Sequence, residues 1–348
     1  MGTLLETNDY AQLLSANTHY IDVRAETEFD QGSLPGAVNA PILNNDERRR
    51  VGVCYKSNGP AAATALGHKI VSGETRAARI RDWRRSAESH PNRSVIMCWR
   101  GGQRSHIAQQ WLAESGLYLP LVTAGFKALR RFCLAQLTTF ANAETPWLLI
   151  GGRTGAGKTA VLEHVRGAID LEGHANHRGS AFGGYPEGQP TPINFENTLA
   201  QTSLRHNAPI VVLEDEGSTI GRLGLPREWH NRMRQTPLAQ LEVEQSVRVE
   251  HIFTEYVGTN TTNSALAGQY LDALKRIRRR LGGARSDELQ KMVADAFTTG
   301  SQDTHRGWIK ALLDYYYDPM YDYQLTNKAD RIKVRGCAEE IIAYVHQL

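Results

Sequence analysis

Residues 147–159 read WLLIGGRTGAGKT, and this stretch decides the architecture of the second half of the chain. Its first four residues, 147–150, are apolar and predict a buried strand. Residues 152–159, GRTGAGKT, match the phosphate-binding pattern G-x-x-x-x-G-K-[ST] at every fixed position. In such a loop the glycines let successive backbone N–H groups point at phosphate oxygens, and a helix begins where the loop ends. The stretch therefore predicts a strand, a phosphate-binding loop and a helix, in that order.

The phosphate-binding pattern predicts a role for most residues of this loop. Lys158 reaches the outer phosphate of a bound ligand, and the hydroxyl of Thr159 is a candidate Mg²⁺ ligand. A helix that begins at Lys158 and runs to about residue 167 adds the positive end of its dipole. The predicted phosphate-binding residues are Gly152, Thr154, Gly155, Gly157, Lys158 and Thr159.

Carboxylates follow a second apolar run. Residues 209–213, PIVVL, predict a buried strand, and Glu214, Asp215 and Glu216 come directly after it. A carboxylate at the end of such a strand holds Mg²⁺ or orders a water in P-loop proteins. The pattern does not distinguish among the three acids. We favour Glu214 and Asp215, together with Thr159, as the Mg²⁺ site.

Composition limits the classes that the whole chain can belong to. Its 348 residues are 41% hydrophobic and 22% charged, which is ordinary for a globular protein and sufficient for two domains. The net charge of +3 is compatible with a polyanionic partner without requiring one. No C-x-x-C pair occurs among the four cysteines, so we expect neither zinc nor a disulfide framework.

The N-terminal sequence MGTLLETNDY lacks the features of a signal peptide, and Glu6 breaks the acylation pattern that the first two residues begin. No apolar run is long enough to span a membrane. We therefore expect a cytoplasmic protein without membrane contact.

One cysteine differs from the others in its surroundings. Residues 94–98, SVIMC, predict a strand that ends at Cys98, and WRGGQRS leads from it into a helix. Backbone N–H groups, the helix dipole and nearby arginines stabilise a thiolate in such a loop. We therefore predict that Cys98 is a nucleophile or a sulfur carrier. The predicted anion-binding residues of its loop are Arg100, Gly101, Gly102 and Arg104. The cysteines expected to be inert are Cys54, Cys133 and Cys337.

These motifs carry two resemblances. DVR at 22–24, GSLPGA at 32–37 and Cys98 in its loop resemble the rhodanese domain, a doubly wound α/β sulfurtransferase module whose cysteine carries a persulfide. CWRGGQRS at 98–105, followed by AGFKALRR at 124–131 and then by a P-loop domain, resembles the tRNA 2-selenouridine synthase family. That family joins the two modules in this order, and the resemblance covers essentially the whole chain.

The resemblance implies an α/β fold in both halves. An N-terminal rhodanese-like doubly wound domain is expected at residues 1–138 and a linker at 139–146. A C-terminal P-loop NTPase-like α/β domain with added helices is expected at 147–348.

The resemblance also implies an enzyme, a selenotransferase and geranyltransferase, that modifies the wobble uridine of tRNA. It would convert 2-thiouridine to 2-selenouridine through an S-geranyl-2-thiouridine intermediate. Geranyl diphosphate and selenophosphate would be co-substrates, Mg²⁺ is a candidate cofactor, and Cys98 would carry selenium as a selenosulfide. Two alternatives stay open at this point. One is a P-loop kinase or NTPase with a regulatory or sulfurtransferase rhodanese domain, and the other is a non-catalytic tRNA-binding module.

A polar segment follows the phosphate-binding loop. IDLE at 169–172 predicts a strand end with two carboxylates, and NHRGSAFG at 176–183 predicts a loop. The loop is either a plain surface loop or a segment that contacts phosphate or substrate. The family has a closely similar stretch, which favours substrate contact by His177, Arg178 and Ser180.

Five basic residues lie near the end of a helix predicted at 261–281. They suit a solvated helix face, an arginine lid over bound phosphates, or a patch that contacts an RNA backbone. The five are Lys275, Arg276, Arg278, Arg279 and Arg280.

Residues 315–323 hold five of the thirteen tyrosines. Their rings could stack a base, line a slot for a prenyl tail, or belong to an ordinary helix end. The family has a similar YYDPMY segment near its C-terminus.

Overall fold

The computed structural model describes residues 5–348, so the first four residues and the expectation about their acylation lie outside it. The chain divides into two compact units. The first unit consists of Met1–Phe140 and Pro190–Arg205. The second consists of Ala141–Gln189 and His206–Leu348.

The first unit is built on a five-stranded sheet in the order β1-β5-β4-β2-β3, and every neighbouring pair is parallel. Parallel neighbours need crossover connections, which the helices between the strands supply, and the predicted α/β fold is confirmed. In chain order the elements are β1 (Glu6–Thr7), α1 (Tyr10–Ser15), β2 (His19–Asp22), α2 (Glu26–Asp30), β3 (Ala37–Asn39), α3 (Asn45–Ile70), α4 (Gly73–Glu88), β4 (Ser94–Met97), α5 (Gln103–Glu114), β5 (Leu121–Val122) and α6 (Gly125–Ala141).

Strand β4 lies between β5 and β2, at the centre of this sheet, and all four of its residues are buried. Beside it, Asp22 at the end of β2 forms a fully buried ion pair with Arg24. The Arg24 guanidinium also donates to the Gly32 carbonyl (2.9 Å) and lies 4.0 Å from the centre of the Phe126 ring. Asp22, Arg24 and Gly32, which belong to the rhodanese-like motifs, therefore interact at the carboxyl ends of the strands, where Cys98 follows β4.

The second unit is built on a four-stranded parallel sheet in the order β11-β10-β6-β7, with a short antiparallel pair, β8 and β9. In chain order the remaining elements are β6 (Trp147–Gly152), α7 (Lys158–Leu162), α8 (Leu171–His174), α9 (Pro192–Arg205), β7 (Val211–Glu214), β8 (Thr219–Ile220), β9 (Leu223–Gly224), α10 (Arg227–Met233), β10 (Leu238–Leu241), α11 (Gln245–Ile252), α12 (Ser264–Leu281), α13 (Gly283–Thr299), α14 (Gln302–Leu312), α15 (Asp318–Thr326), β11 (Ile332–Gly336) and α16 (Ala338–His346).

This unit has two cores. One packs against the sheet and includes Leu148, Ile150 and Val212. The other lies among α11–α14 around Tyr270 and Trp308, which are each 1% exposed. Two π-helical turns, Phe253–Val257 after α11 and Leu313–Tyr317 after α14, border this second core. Such turns are frequent at functional sites because they change the direction of the side chains that follow.

Two predicted elements differ in the structure. Helix α7 ends at Leu162, earlier than predicted, because the His164 ring donates to the Ala160 carbonyl (2.8 Å) and takes the place of the next helical hydrogen bond. Residues 169–172 form no regular strand, although Ala168 makes a parallel β-bridge to Val212 and the Ile169 N–H donates to the Val212 carbonyl (2.9 Å). Asp170 instead caps α8, where its side chain accepts a hydrogen bond from the Gly173 N–H (2.6 Å).

Helix α9 belongs to the first unit although it lies inside the range predicted for the P-loop domain. Asn197 donates to the Ser33 carbonyl (2.7 Å), and Gln201 donates to the Leu14 carbonyl (3.0 Å). Arg130 of α6 also pairs with Glu196. These contacts join residues more than sixty positions apart, which is why a boundary drawn from composition does not include them.

Within residues 5–348, no helix combines the length and the apolar character needed to cross a membrane.

Candidate functional site

The phosphate-binding loop lies between β6 and α7, as its sequence predicts. Gly155 and Gly157 both have φ of +80°, a conformation that residues with a Cβ rarely adopt. A Cβ on Gly155 would also lie 2.9 Å from the Arg248 carbonyl oxygen. The loop conformation therefore depends on glycine at this position.

A cavity of about 940 Å³ opens above this loop. We call it the phosphate cavity. Five of the six predicted phosphate-binding residues line it, whereas Gly152 is buried at the end of β6. The five are Thr154, Gly155, Gly157, Lys158 and Thr159.

The loop at 176–183 forms another wall of the same cavity, to which His177, Arg178 and Ser180 all contribute. The Arg178 guanidinium lies 4.0 Å from the centre of the Tyr185 ring and donates to the Glu255 carbonyl (3.0 Å). The hydroxyls of Ser180 and Tyr256 are 2.9 Å apart. These contacts join the loop to the π-helical turn Phe253–Val257.

His177 stays neutral in this wall. Burial lowers the pKa of its ring, and the neighbouring positive charges of Arg178 and Arg276 lower it further. The buried Nδ1 atom of His177 finds no hydrogen-bond partner among residues 5–348.

The carboxylates that face the cavity are not the two we favoured from the sequence. Asp170, Glu172 and Glu216 line it, whereas Glu214 and Asp215 do not. Asp215 instead pairs with Lys328 (2.5 Å). Glu172 and Glu216 are therefore better placed than Glu214 and Asp215 to bind Mg²⁺ beside a phosphate, and the Mg²⁺ site itself stays a prediction.

Glu214 is fully buried and does not line the phosphate cavity. One of its oxygens accepts a hydrogen bond from the Leu171 N–H (3.0 Å). Burial raises the pKa of Glu214 well above its usual value, and the adjacent Asp170 raises it further. Its hydrogen bond to Leu171 connects β7 to α8.

Lys158 lies among these acids. Burial opposes its charge, but Tyr321, Glu172 and Glu216 raise the pKa of Lys158 above its usual value, so the ammonium stays charged. Burial raises the pKa of Glu172 to about 8, with Lys158 opposing this rise and Glu216 adding to it. The charges of Lys158, Glu172 and Glu216 therefore interact with one another next to the phosphate-binding loop.

Mg²⁺ fits this group when a phosphate ligand is also present. No cluster of three or more His, Cys, Asp or Glu side chains in the described part of the chain could hold a metal ion alone. Thr159, Glu172 and Glu216 line the phosphate cavity together and supply oxygen ligands of the kind that Mg²⁺ prefers. Phosphate oxygens would complete the coordination, as is usual for Mg²⁺ in phosphate-transfer sites.

The basic cluster on α12 has two faces. Arg276 and Arg280, one helical turn apart, line the phosphate cavity, and Arg276 donates to the Ala181 carbonyl (3.2 Å). The other three residues do not line the cavity. Lys275 pairs with Asp272 (2.8 Å), Arg278 pairs with Asp287, and Arg279 is exposed.

The tyrosine-rich segment, residues 315–323, also lies partly in the wall of the phosphate cavity and partly outside it. Tyr316, Tyr317 and Tyr321 line the phosphate cavity with Met320, and the Tyr317 hydroxyl accepts a hydrogen bond from the Ala181 N–H (3.2 Å). In contrast, Tyr323 is 73% exposed. The cavity wall therefore includes aromatic and apolar side chains as well as the polar phosphate-binding loop.

Cys98 lies in the first unit, directly after β4, with only 3% of its surface exposed. Its Sγ atom is 3.1 Å from the Ser105 hydroxyl. A cavity of about 610 Å³, which we call the Cys98 cavity, has Cys98, Arg100, Gly102 and Arg104 in its wall. Gly101 is the one predicted loop residue that does not line it.

The two arginines of the Cys98 loop differ. Arg104 makes a double hydrogen bond to Glu28 (2.6 and 3.1 Å), whereas Arg100 is exposed. Burial opposes the charge of Glu28, but Arg104 and Arg48 lower the pKa of Glu28 to about 2. Glu28 lies 76 positions before Arg104, so no local sequence signal indicates this pair.

The segment that follows β5 holds the Cys98 loop in place. The backbone N–H groups of Phe126 and Lys127 donate to the carbonyls of Cys98 and Trp99, both at 2.9 Å. A Cβ on Gly125 would lie 2.2 Å from the Cys98 carbonyl oxygen. The AGF sequence at 124–126 therefore allows the backbone to approach the cysteine closely.

These two units define the class of the protein: a rhodanese-like module with a loop cysteine, joined to a P-loop NTPase-like α/β module with added helices. Family models agree with this description. The Rhodanese-like domain matches residues 6–131, and the tRNA 2-selenouridine synthase AAA domain matches residues 145–348.

Full-length relatives identify the family. Proteins named tRNA 2-selenouridine synthase from Hahella chejuensis and Marinobacter nauticus are 43% and 45% identical to the chain. The alignments cover 97% and 98% of this chain and 94% and 97% of those proteins. A relative of the same name from Salmonella enteritidis PT4 is 43% identical, over 97% of both chains. The chain belongs to the tRNA 2-selenouridine synthase family.

Proposed function

We propose that this chain is a tRNA-modifying enzyme that replaces the 2-thio sulfur of a wobble uridine with selenium through an S-geranyl intermediate. Geranyl diphosphate and selenophosphate are its co-substrates. The relatives named tRNA 2-selenouridine synthase support the overall reaction. The geranyl step is supported by the make-up of the phosphate cavity.

The observation that carries the proposal is the mixed lining of the phosphate cavity. Its wall combines the phosphate-binding loop, Lys158 and Arg276 with the aromatic and apolar side chains of Tyr316 and Met320. An allylic diphosphate needs both kinds of surface, because it has a charged head and an apolar tail. The cavity volume of about 940 Å³ also leaves room for a nucleobase beside such a ligand.

In the first step the thiocarbonyl sulfur of the tRNA attacks C1 of the geranyl chain. A C–S bond forms, the C1–O bond breaks, diphosphate leaves, and the N3 proton of the base is released. Lys158 and Arg276 stabilise the negative charge on the leaving diphosphate, and bound Mg²⁺ would neutralise part of the same charge. No phosphoryl group is transferred, so no nucleotide is consumed.

In the second step selenium attacks C2 of the base and geranylthiol leaves. In this proposal the selenium is carried by Cys98 as a selenosulfide, which is two electrons more oxidised than selenium in selenophosphate. Loading forms an S–Se bond at Cys98 and breaks the P–Se bond, so that water takes the phosphoryl group as phosphate while a small disulfide is reduced to two thiols. Two thiols then reduce the C2–Se–S–Cys98 linkage, which restores Cys98 and the disulfide.

The proposal is tested with purified protein, 2-thiouridine-containing tRNA, geranyl diphosphate and Mg²⁺ in the absence of any nucleotide. We expect geranylated tRNA, detected by mass spectrometry of nucleosides, because the loop binds phosphate oxygens without requiring a nucleoside. A strict requirement for hydrolysable ATP would contradict the proposal and favour a kinase or NTPase.

The two faces of α12 predict separable effects on the two substrates. Neutralising the outer pair, Lys275→Gln with Arg279→Gln, should weaken binding to all substrate tRNAs and reduce the salt slope by roughly one unit for each lost phosphate contact. Neutralising the cavity pair, Arg276→Gln with Arg280→Gln, should mainly raise KM for geranyl diphosphate. Binding titrations at several salt concentrations and steady-state kinetics measure the two effects. Unchanged tRNA affinity in the outer variant would show that this face is only solvated.

A further inference from the structure

A second cavity of the first unit has no role in the reaction described so far. It has a volume of about 300 Å³ and lies among α3, α5 and the segment before α3. We call it the apolar cavity. Its wall includes Ile42, Leu43, Val51, Ala63, Ile107 and Trp111. Voids inside a well-packed domain are rarely larger than a water molecule, whereas ligand pockets range from roughly 300 to 1,000 Å³.

This cavity adjoins the Cys98 cavity. Arg48, Gln103 and Arg104 line both of them. Gln103 and Arg104 form the first turn of α5, and the Gln103 side chain donates to the Thr64 hydroxyl on α3 (2.8 Å). A ligand centred on Cys98 can therefore extend past one helical turn into an apolar space.

The two cavities also differ in chemical character. Charged and polar residues dominate the wall of the Cys98 cavity, where Glu28 and Arg100 join the shared Arg48 and Arg104, whereas most residues in the wall of the apolar cavity are aliphatic or aromatic. The intermediate of the proposed reaction has the same two-part form, with a polar base joined through sulfur to a geranyl chain.

We infer that the apolar cavity binds the geranyl chain of S-geranyl-2-thiouridine while selenium is delivered from Cys98. This inference rests on the proposed function and adds a second prenyl site, in the first unit, to the one in the phosphate cavity. The geranyl group would then have two roles. It makes the sulfur a better leaving group, because geranylthiol departs. It also anchors the modified base beside the selenium carrier in preference to an unmodified base.

Gly52 is a suitable position for testing whether the apolar cavity binds the geranyl chain. It lies in the wall of the apolar cavity, and a Cβ built on it would meet no atom within 4 Å. Gly52→Phe should therefore fill the cavity without a backbone clash, and Gly52→Ala is its small-side-chain control. Val53→Phe places the same ring on the same helix, at a position that is 57% exposed and outside the cavity wall.

The substrates are two anticodon stem-loop RNAs, one with S-geranyl-2-thiouridine and one with S-methyl-2-thiouridine, each incubated with selenophosphate, a thiol and its disulfide. We expect Gly52→Phe to slow selenation of the geranyl RNA by about tenfold, because the apolar chain loses its burial site. Selenation of the methyl RNA and geranylation of thiolated tRNA should match wild type in all three variants. Wild-type selenation of the methyl RNA also shows that the first unit, which contains both Gly52 and Cys98, is folded in the variants.

A wild-type rate of Gly52→Phe on the geranyl RNA would overturn the inference, and so would an equal loss on both RNAs. Neither result affects the proposed function, because wild-type protein would still convert the geranyl RNA. If wild-type protein leaves the geranyl RNA unchanged, the proposed function fails and the inference fails with it. A second variant, Val51→Ser, makes the cavity wall polar without adding volume and should produce the same selective loss.

Discussion

Replacing Lys158 with alanine is expected to abolish geranylation of tRNA. Lys158 lies in the phosphate-binding loop, lines the phosphate cavity and keeps its charge because Tyr321, Glu172 and Glu216 surround it. The leaving diphosphate gains negative charge in the transition state, and removing one preorganised group of this kind lowers the rate by roughly a hundredfold to a thousandfold. Single-turnover geranylation, followed by mass spectrometry of the wobble nucleoside, measures the loss.

Two controls test whether the loss is specific to Lys158 and to the geranylation step. Arg153→Ala removes a positive charge from the same loop, but Arg153 pairs with Asp322 and does not line the phosphate cavity, so its rate should stay close to wild type. Lys158→Ala should also convert pre-geranylated tRNA to selenouridine at the wild-type rate, because Cys98 belongs to the other unit. Geranylation at the wild-type rate by Lys158→Ala, with an unchanged circular dichroism spectrum, would refute the role of this loop.

Replacing Cys98 with alanine is expected to separate the two steps. Cys98 is buried at the end of β4, and its sulfur is next to the Ser105 hydroxyl and the cavity that Arg104 lines. In the proposed reaction geranylation takes place in the second unit, so geranylated thiouridine should accumulate while selenouridine falls below detection. The ratio of the two nucleosides in tRNA, from purified protein and from cells that depend on the variant, measures this separation.

Cys54→Ala is the matched control, because Cys54 lies in the same unit on α3 and lines neither the Cys98 cavity nor the apolar cavity. It should form selenouridine at the wild-type rate. Normal selenouridine in Cys98→Ala would exclude a carrier role for Cys98, and loss of geranylation in that variant would show that the two units do not divide the reaction.

Features that depend on only a few neighbouring residues could be predicted from the sequence alone. The glycines of the phosphate-binding loop are required by local backbone geometry, since Gly155 and Gly157 have φ of +80°. The end of β4 at Met97, directly before Cys98, follows from a short apolar run and the glycines after it. The resemblance of the motifs to known families implied the α/β fold of both halves, and the length of the chain indicated two domains.

The sequence by itself therefore determined the fold class, the phosphate-binding loop and the position of Cys98 after its strand. Only the tertiary structure decided which acids face the phosphate cavity, which basic residues of α12 line it, and to which unit α9 belongs. Glu216 and Asp215 are adjacent in sequence, yet one lines the cavity and the other pairs with Lys328, 113 positions away. Such choices depend on burial and on partners far along the chain. They become visible only when the packed fold brings those partners together.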